Sequence, residues 1–177
     1  MMAIGCSSDP ARTSPQRRVL ISACLLGENV RYDGGNLLTE HPVIRRWLEE
    51  GRVVQVCPEV AGGLPTPRPP AEARGGDGRE VLAGRARIIA RDGEDVTDAF
   101  VEGASLALRT AEQQHCVLAV LAARSPSCGN REVYDGSFSG RLMPGMGTAA
   151  ARLEAAGIAV FNQNELEAAD ARLRAVE

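Results

Sequence analysis

Short apolar runs alternate along the chain with longer stretches in which apolar residues recur at helical spacing. Runs of four to seven apolar residues are typical of strands buried in a sheet, and the 3.6-residue rhythm is typical of amphipathic helices. Gly51 and Gly157 follow two of the helical stretches and supply their stops. The pattern predicts strands over 19–23, 53–56, 116–122 and 158–161, and helices over 37–50, 98–114, 165–176 and from an opening at 145–148 through 156.

This alternation predicts one α/β domain over 18–177: a doubly wound, mainly parallel, Rossmann-like sheet with helices on both faces. Residues 1–17 have no periodicity and are rich in Ser, Pro and Arg, so a flexible N-terminal tail is expected there. A small β-hairpin is predicted from Glu80–Leu82 and Ala86–Ala90. Residues 58–70 are too rich in Pro and Gly for helix or strand, which predicts a long rigid loop.

Composition narrows the classes of function. The net charge is −3 over 177 residues, which does not favour nonspecific binding to nucleic acid. All 20 basic residues are arginine, which excludes a Schiff-base lysine and a Walker-type phosphate loop. No apolar run approaches the ~20 residues that span a bilayer, and the N-terminus lacks the features of a signal peptide, so no membrane contact is expected. Five widely spaced cysteines do not form a secreted disulfide framework, and a reducing cytoplasm is expected.

Three cysteines lie where a predicted strand gives way to a turn: Cys24, Cys57 and, in the loop after the third strand, Cys128. Ligands of open α/β sheets bind beyond the carboxyl ends of the strands, so these thiols are expected to converge there. Three thiolates suit an iron–sulfur cluster or zinc and leave a fourth position for substrate. The alternative is that cysteine is simply a small buried hydrophobe, which fits Cys116 at the start of its strand. Cys6, in the predicted tail, is expected to have no structural role.

Carboxylates near these thiols are candidates for acid/base chemistry. Glu59 follows Cys57 by two residues, and Pro58 between them fixes the backbone so that carboxylate and thiol project from one loop. A solvated surface glutamate is the alternative. Asp33 is a further candidate, although its Asp-Gly sequence is also typical of a simple turn.

Hydroxyl and cationic groups complete the candidate site. Ser125 and Ser127 precede Cys128 closely enough to bind a substrate or to shuttle a proton. Arg31 and Arg68, in loops after strands, could bind phosphate or carboxylate. The N–H groups at Gly147 and Thr148, where a helix begins, could bind an anion as well. Solvated arginines and an ordinary helix start remain the alternative.

One internal echo is visible in the sequence. A thiol is followed shortly by Tyr-Asp-Gly twice, first from Cys24 to 32–34 and again from Cys128 to 134–136. Two such loops, rising from strand ends, could face each other across one pocket. Chance similarity between two turn-forming segments is the alternative.

Taken together, several motifs in one order resemble the thiouracil desulfidases, a bacterial family, over about residues 18–162. They are Ile-Ser-Ala-Cys24-Leu-Leu-Gly, Val30-Arg-Tyr-Asp-Gly-Gly, Cys57-Pro-Glu-Val-Ala-Gly-Gly-Leu-Pro-Thr-Pro-Arg-Pro-Pro, Asp95-Val-Thr97, Ser125-Pro-Ser-Cys128-Gly and Tyr134-Asp-Gly-Ser-Phe-Ser-Gly. The resemblance implies a 4Fe-4S cluster held by Cys24, Cys57 and Cys128, whose fourth iron has no protein ligand and binds the sulfur of a thiocarbonyl. It also implies that water replaces this sulfur without a redox step.

The same resemblance points to a thiolated uracil, as free base or mononucleotide, such as 4-thiouracil or 4-thio-UMP. Glu59 and Ser125 are then expected to form the acid/base pair, with Asp33 as a third candidate. Arg31, Arg68 or the 145–148 helix start is expected to hold a phosphate, and Ser127 to contact substrate. Transfer RNA is not an expected partner, cluster-assembly machinery is, and the chain is expected to be a monomer or homodimer. The alternative function is a sulfur or cluster carrier without hydrolytic activity.

Overall fold

The computed structural model describes residues 16–177. Cys6 and nearly all of the predicted tail therefore lie outside the described residues. The strands are β1 Arg18–Ser22, β2 Val53–Val56, β3 Ala71–Arg74, β4 Arg87–Ala90, β5 Cys116–Val120, β6 Glu132–Tyr134, β7 Leu142–Pro144 and β8 Ala159–Phe161. The helices are α1 Pro42–Glu49, α2 Pro58–Ala61, α3 Gly78–Leu82, α4 Thr97–Gln113, α5 Thr148–Ala155 and α6 Leu166–Ala175.

Four parallel strands form the central sheet in the order β2-β1-β5-β8. The chain winds from β1 to β2 in one direction and from β5 to β8 in the other, so the winding reverses between β1 and β5. Because crossovers between parallel strands are right-handed, the two directions place their helices on opposite faces. Accordingly α1 packs with α6, and α4 packs with α5. The predicted doubly wound α/β fold is confirmed.

The core lies along β1 and β5. Val19, Leu20 and Ile21 of β1 have no exposed surface, and the same holds for Leu118 and Val120 of β5. Central strands of a parallel sheet are covered by helices on both faces, which is why their sequences are continuously apolar. Burying one such side chain contributes about 1.5–3 kcal/mol. The two strands that border the reversal of winding are therefore the most firmly held part of the sheet.

The predicted hairpin was wrong. Residues 80–82 belong to helix α3, and β4 pairs antiparallel with β3 rather than with them. Helix α3 is capped by Asp77, whose side chain accepts from the N–H groups of Arg79 and Glu80 at 3.1 and 3.4 Å. This cap satisfies N–H groups at the start of a very short helix, a local signal that outweighs the strand-like composition that follows.

Proline explains two further differences. The first helix begins at Pro42 rather than at residue 37, because the residue before a proline is driven into extended geometry, here His41 at φ −145°. Pro58 instead opens one helical turn, α2, within the predicted loop over 58–70, because its fixed φ suits the first helical position. Within 16–177, no helix is long and apolar enough to cross a membrane.

Candidate active site

A cavity of about 760 Å³ lies beyond the carboxyl ends of β1, β2 and β5. Cys24, Cys57 and Cys128 all line it. Cys24 lies in a 3-10 helix, Ala23–Leu26, that directly follows β1, and Cys57 is the residue between β2 and α2. Three thiols separated by more than 30 residues from one another are thus brought to one side of the sheet, as the sequence predicts.

The loop that carries Cys128 is held by the start of helix α5. The N–H groups of Gly147 and Thr148 donate to the carbonyls of Gly129 and Pro126, at 2.7 and 3.0 Å. A Cβ on Gly147 would lie 2.4 Å from the carbonyl carbon of Ser127, so only glycine permits this approach. Neither Gly147 nor Thr148 lines the cavity, and their N–H groups are already used. The start of α5 therefore positions the loop, and its N–H groups at Gly147 and Thr148 are not available to bind an anion.

All three thiols are free, and their surroundings favour the neutral form. Burial raises the pKa of Cys128 to about 12, against the nearby hydroxyls of Ser127 and Ser22, which lower it. Burial, followed by the charge of Cys57, raises the pKa of Cys24 to about 11. Burial also raises the pKa of Cys57. Thiolates at these positions therefore require a cationic group between them, which is what a bound metal supplies.

The donor set fits a cluster better than a single ion. Within residues 16–177, no three His, Cys, Asp or Glu side chains are placed so that they could hold a metal ion. The three thiols instead lie around a cavity with room for a larger group. Soft sulfur donors spread in this way match a polynuclear iron–sulfur cluster, whereas zinc needs ligands that converge on one point.

The side chains of Glu59, Ser125 and Ser127 are hydrogen-bonded in a row between helix α2 and the Cys128 loop. The Ser127 hydroxyl donates to Glu59 Oε2 at 2.8 Å, and the hydroxyls of Ser125 and Ser127 are 2.9 Å apart. Ser125 Oγ also accepts from the N–H groups of Ser127 and Cys128, at 3.1 and 3.0 Å. Because the Ser127 proton points to Glu59, the Ser125 proton points to Ser127. All three side chains line the cavity and form one directed hydrogen-bond chain.

Arg68 fixes the other side of Glu59. Its Nε donates to Glu59 Oε1 at 3.2 Å, and its remaining nitrogens donate to the carbonyls of Val30 and Pro65 and to the hydroxyl of Thr66. The side chain is only 5% exposed. Although Arg68 lines the cavity, four of its five N–H groups are engaged, which favours orienting Glu59 over binding a phosphate.

Arg31 and Asp33, two further predicted site residues, differ in their position relative to the cavity. Arg31 lines the cavity, and its guanidinium lies 5.6 Å from the ring centre of Tyr32. Asp33 does not line the cavity: it is exposed, and its Oδ1 accepts from the N–H of Gly35 at 2.9 Å. Asp33 therefore stabilises its own turn, the alternative that its Asp-Gly sequence had left open.

Several cavity residues were missed by sequence reasoning. Phe138 lines the cavity at a φ of 55°, a left-handed conformation that is rare outside glycine. It is held by Glu72, which accepts from its N–H at 3.2 Å, and guanidinium groups of Arg74 and Arg91 lie 5.9 and 5.4 Å from its ring centre. Arg91 also lines the cavity. Phe138 belongs to the Tyr134-Asp-Gly-Ser-Phe-Ser-Gly motif, but no local pattern shows that it meets these arginines, because Arg74 ends β3 and Arg91 follows β4.

The sequence echo has a structural counterpart. Tyr32 and Tyr134, the aromatic residues of the two Tyr-Asp-Gly segments, both line the cavity. The two loops thus face one space, as expected from the repeated pattern. With Phe138 they give the cavity three aromatic side chains, enough to contact a planar ring.

Fold and site together define a class: a parallel α/β protein with three free thiols around a cavity at the point where the sheet reverses its winding. Residues 19–165 match the family of 2-thiouracil desulfurases, and the chain belongs to that family. It is 43% identical over 148 residues to the uncharacterized protein YbbK of Bacillus subtilis (strain 168), covering 84% of this chain and 97% of that protein. It also resembles the solved structure of the 4Fe-4S-dependent thiouracil desulfidase TudS. The TM-score is 0.82 and the identity 41%, covering 90% of this chain and 99% of TudS. The predicted family is confirmed.

Proposed function

We propose that this protein is an enzyme that removes sulfur from a thiolated uracil, with a 4Fe-4S cluster held by Cys24, Cys57 and Cys128. One observation carries the proposal: three free thiols line a single cavity with the carboxylate of Glu59. Membership of the 2-thiouracil desulfurase family supports the reaction, and the likeness to TudS supports the cluster. Three cysteines leave one iron of such a cluster without a protein ligand.

When bound, the cluster would supply a soft Lewis acid that withdraws electrons from the thiocarbonyl and makes the ring carbon electrophilic. The net reaction exchanges C=S for C=O and converts one water into one hydrogen sulfide. Carbon and sulfur keep their oxidation states, so the reaction is a hydrolysis that needs no electron donor.

The protein's own residues supply the proton transfers. We assign Glu59 and Ser125 to the acid/base pair, with Ser127 as the link between them. Glu59 accepts a proton from the attacking water, directly or through the two hydroxyls, and returns a proton to the ring nitrogen or the departing sulfide. Arg68 holds the Glu59 carboxylate in position to accept from Ser127, because the Arg68 guanidinium is itself fixed by three other acceptors.

Other residues that line the cavity orient the substrate. The rings of Tyr32, Tyr134 and Phe138 are available to contact a uracil ring. Arg31 and Arg91 line the same space, and within the described residues neither pairs with a carboxylate. Two unpaired guanidinium groups favour an anionic substrate, so a mononucleotide such as 4-thio-UMP is assigned ahead of the free base 4-thiouracil.

The test begins with iron and acid-labile sulfide in anaerobically reconstituted protein, where about four of each per chain are expected. Release of sulfide and formation of the oxygenated base are then measured with 4-thiouracil and 4-thio-UMP. Glu59→Gln separates an enzyme from a carrier, because a carrier needs the thiols alone. Retained cluster with lost turnover supports the enzyme, and unchanged sulfide release contradicts the assignment of Glu59. Protein without iron contradicts the cofactor.

A further inference from the structure

Ser22 is a buried polar residue at the end of the apolar strand β1, with 2% of its surface exposed. Its Oγ accepts from the N–H of Ala122 at 2.9 Å. The hydroxyl therefore joins the carboxyl ends of the two central strands, at the point where the winding of the sheet reverses. It also lines the cavity.

The hydroxyl proton has a defined destination. Because one lone pair of Ser22 Oγ accepts from Ala122, its proton points elsewhere, and Cys128 Sγ lies 3.5 Å away. Among residues 16–177, Cys128 Sγ is the one side-chain acceptor that this hydroxyl meets. Ser127 Oγ lies equally close to that sulfur, but its proton goes to Glu59 at 2.8 Å. Ser22 is thus the dedicated donor to this sulfur.

We propose that Ser22 is a positioning residue for the cluster: its hydroxyl donates to the sulfur of Cys128 and sets the cluster's reduction potential and retention. This inference rests on the proposed function only in requiring a cluster on Cys128. A hydrogen bond to a ligand sulfur stabilises the more negative, reduced state and so raises the potential. For a non-redox reaction, such a bond also helps a buried thiolate to keep its iron.

A merely structural role is the competing explanation, since Ser22 also ties β1 to β5. The chain offers a matched control in Thr97, which is 4% exposed. Its Oγ1 likewise accepts a strand N–H, that of Ile88 at 2.9 Å, but its proton faces the Asp95 carboxylate and the Ile88 carbonyl, the latter at 3.5 Å, and not a sulfur. Thr97→Val therefore removes a comparable buried hydroxyl away from the cavity.

The experiment compares the reconstituted full chain with Ser22→Ala, Ser22→Thr and Thr97→Val. The midpoint potential of the cluster is measured by dye-mediated titration with electron paramagnetic resonance, and iron loss is followed with a chelator. Ser22→Ala is expected to retain the cluster, to shift the potential to more negative values and to lose iron roughly tenfold faster. Ser22→Thr should restore both values, and Thr97→Val should lower only the melting temperature.

A second measurement needs no variant. The iron–cysteine stretching bands of the wild-type cluster, compared by resonance Raman spectroscopy in H₂O and D₂O, should shift for a sulfur that accepts from a hydroxyl. A wild-type potential in Ser22→Ala, or bands without any D₂O shift, overturns the inference while leaving the proposed function intact. Wild-type protein that binds no cluster overturns both.

Discussion

The Ser127 hydroxyl donates to the Glu59 carboxylate over 2.8 Å, joining the loop after β5 to the first turn of α2. Each partner lies close in sequence to one of the thiols, Ser127 next to Cys128 and Glu59 two residues after Cys57. One hydrogen bond therefore fixes the distance between two parts of the site that the chain reaches from different strands. In the proposed proton path it makes Ser127, and not only Ser125, a member.

Replacing Ser127 with Ala should interrupt this path. Ser125 would lose its link to Glu59, and turnover is expected to fall about 10²–10⁴-fold, the usual contribution of a positioned acid or base. Iron content should not change, because the three thiols remain. Steady-state sulfide release and iron analysis check both statements. Ser105→Ala on helix α4, outside the cavity, is the control; a wild-type rate in Ser127→Ala would contradict the path.

The four described cysteines should divide into two groups. Serine at position 24, 57 or 128 is expected to abolish or strongly reduce the iron and labile sulfide of the reconstituted protein, because each replacement removes one of three soft ligands. Cys116 lies at the start of β5, away from the cavity, and burial raises its pKa to about 11. Cys116→Ala should therefore keep the full cluster. Loss of iron from folded Cys116→Ala would mean that the ligand set is wrong.

Much of the fold could be predicted because each strand or helix follows from a pattern that lies within one short segment of the sequence. The runs that became β1 and β5 are apolar because helices cover both faces of the sheet, so their burial was readable directly. The hairpin failed because a capping aspartate, Asp77, turned residues 78–82 into a helix. Such a cap depends on a single side chain and two N–H groups, so the average composition of the segment does not reveal it.

The candidate site was predictable where its residues follow the end of a strand, as the three cysteines do, and not where it depends on packing. The Gly147 backbone touches that of Ser127, and no local pattern distinguishes such a contact from a helix start open to an anion. Arg91 and Phe138 meet across separate strand pairs. Ser22 alone left a usable signal, since a polar residue follows the apolar run 19–21 at the end of the strand.

The stability contributed at the start of helix α4 should decrease at acidic pH. Hydrogen bonds from Thr97, followed by one from Arg87, lower the pKa of Asp95 from 3.8 to about 2. A lowered carboxyl pKa adds stability at pH values above 3.8, and this stability disappears as the pH falls from 3.8 towards 2. Asp95→Asn should cost about 1 kcal/mol of unfolding free energy at pH 7, since the group is partly screened by solvent.

Urea unfolding of wild type and Asp95→Asn between pH 7 and pH 2 measures this effect. The difference between the two proteins should shrink as the wild-type carboxyl becomes protonated. Asp92→Asn is a suitable control, because Asp92 accepts a single N–H, from Glu94 in an exposed turn. A difference that stays constant down to pH 2 would contradict the assignment.

Arg68 should matter for stability as much as for catalysis. Arg68→Met leaves the Glu59 carboxylate, 15% exposed, without its cationic partner. Removing one member of a mostly buried pair is expected to cost about 2–3 kcal/mol. Because the loss comes from the stranded charge, Arg68→Met combined with Glu59→Gln should recover part of it. Urea unfolding of the single and double variants tests this, and strictly additive losses would contradict it.

Arg91 should distinguish a nucleotide from a free base. Its guanidinium lies 5.4 Å from the centre of the Phe138 ring at the cavity wall, and under the proposed function it binds the phosphate and not the thiocarbonyl. Arg91→Met is therefore expected to raise KM for 4-thio-UMP about tenfold, since a charge-assisted hydrogen bond contributes on the order of 1.5 kcal/mol, and to leave 4-thiouracil unaffected. Arg87→Met is the matched control, because Arg87 pairs with Asp95 outside the cavity. Equal losses on both substrates would mean that Arg91 supports the cavity wall instead of binding phosphate.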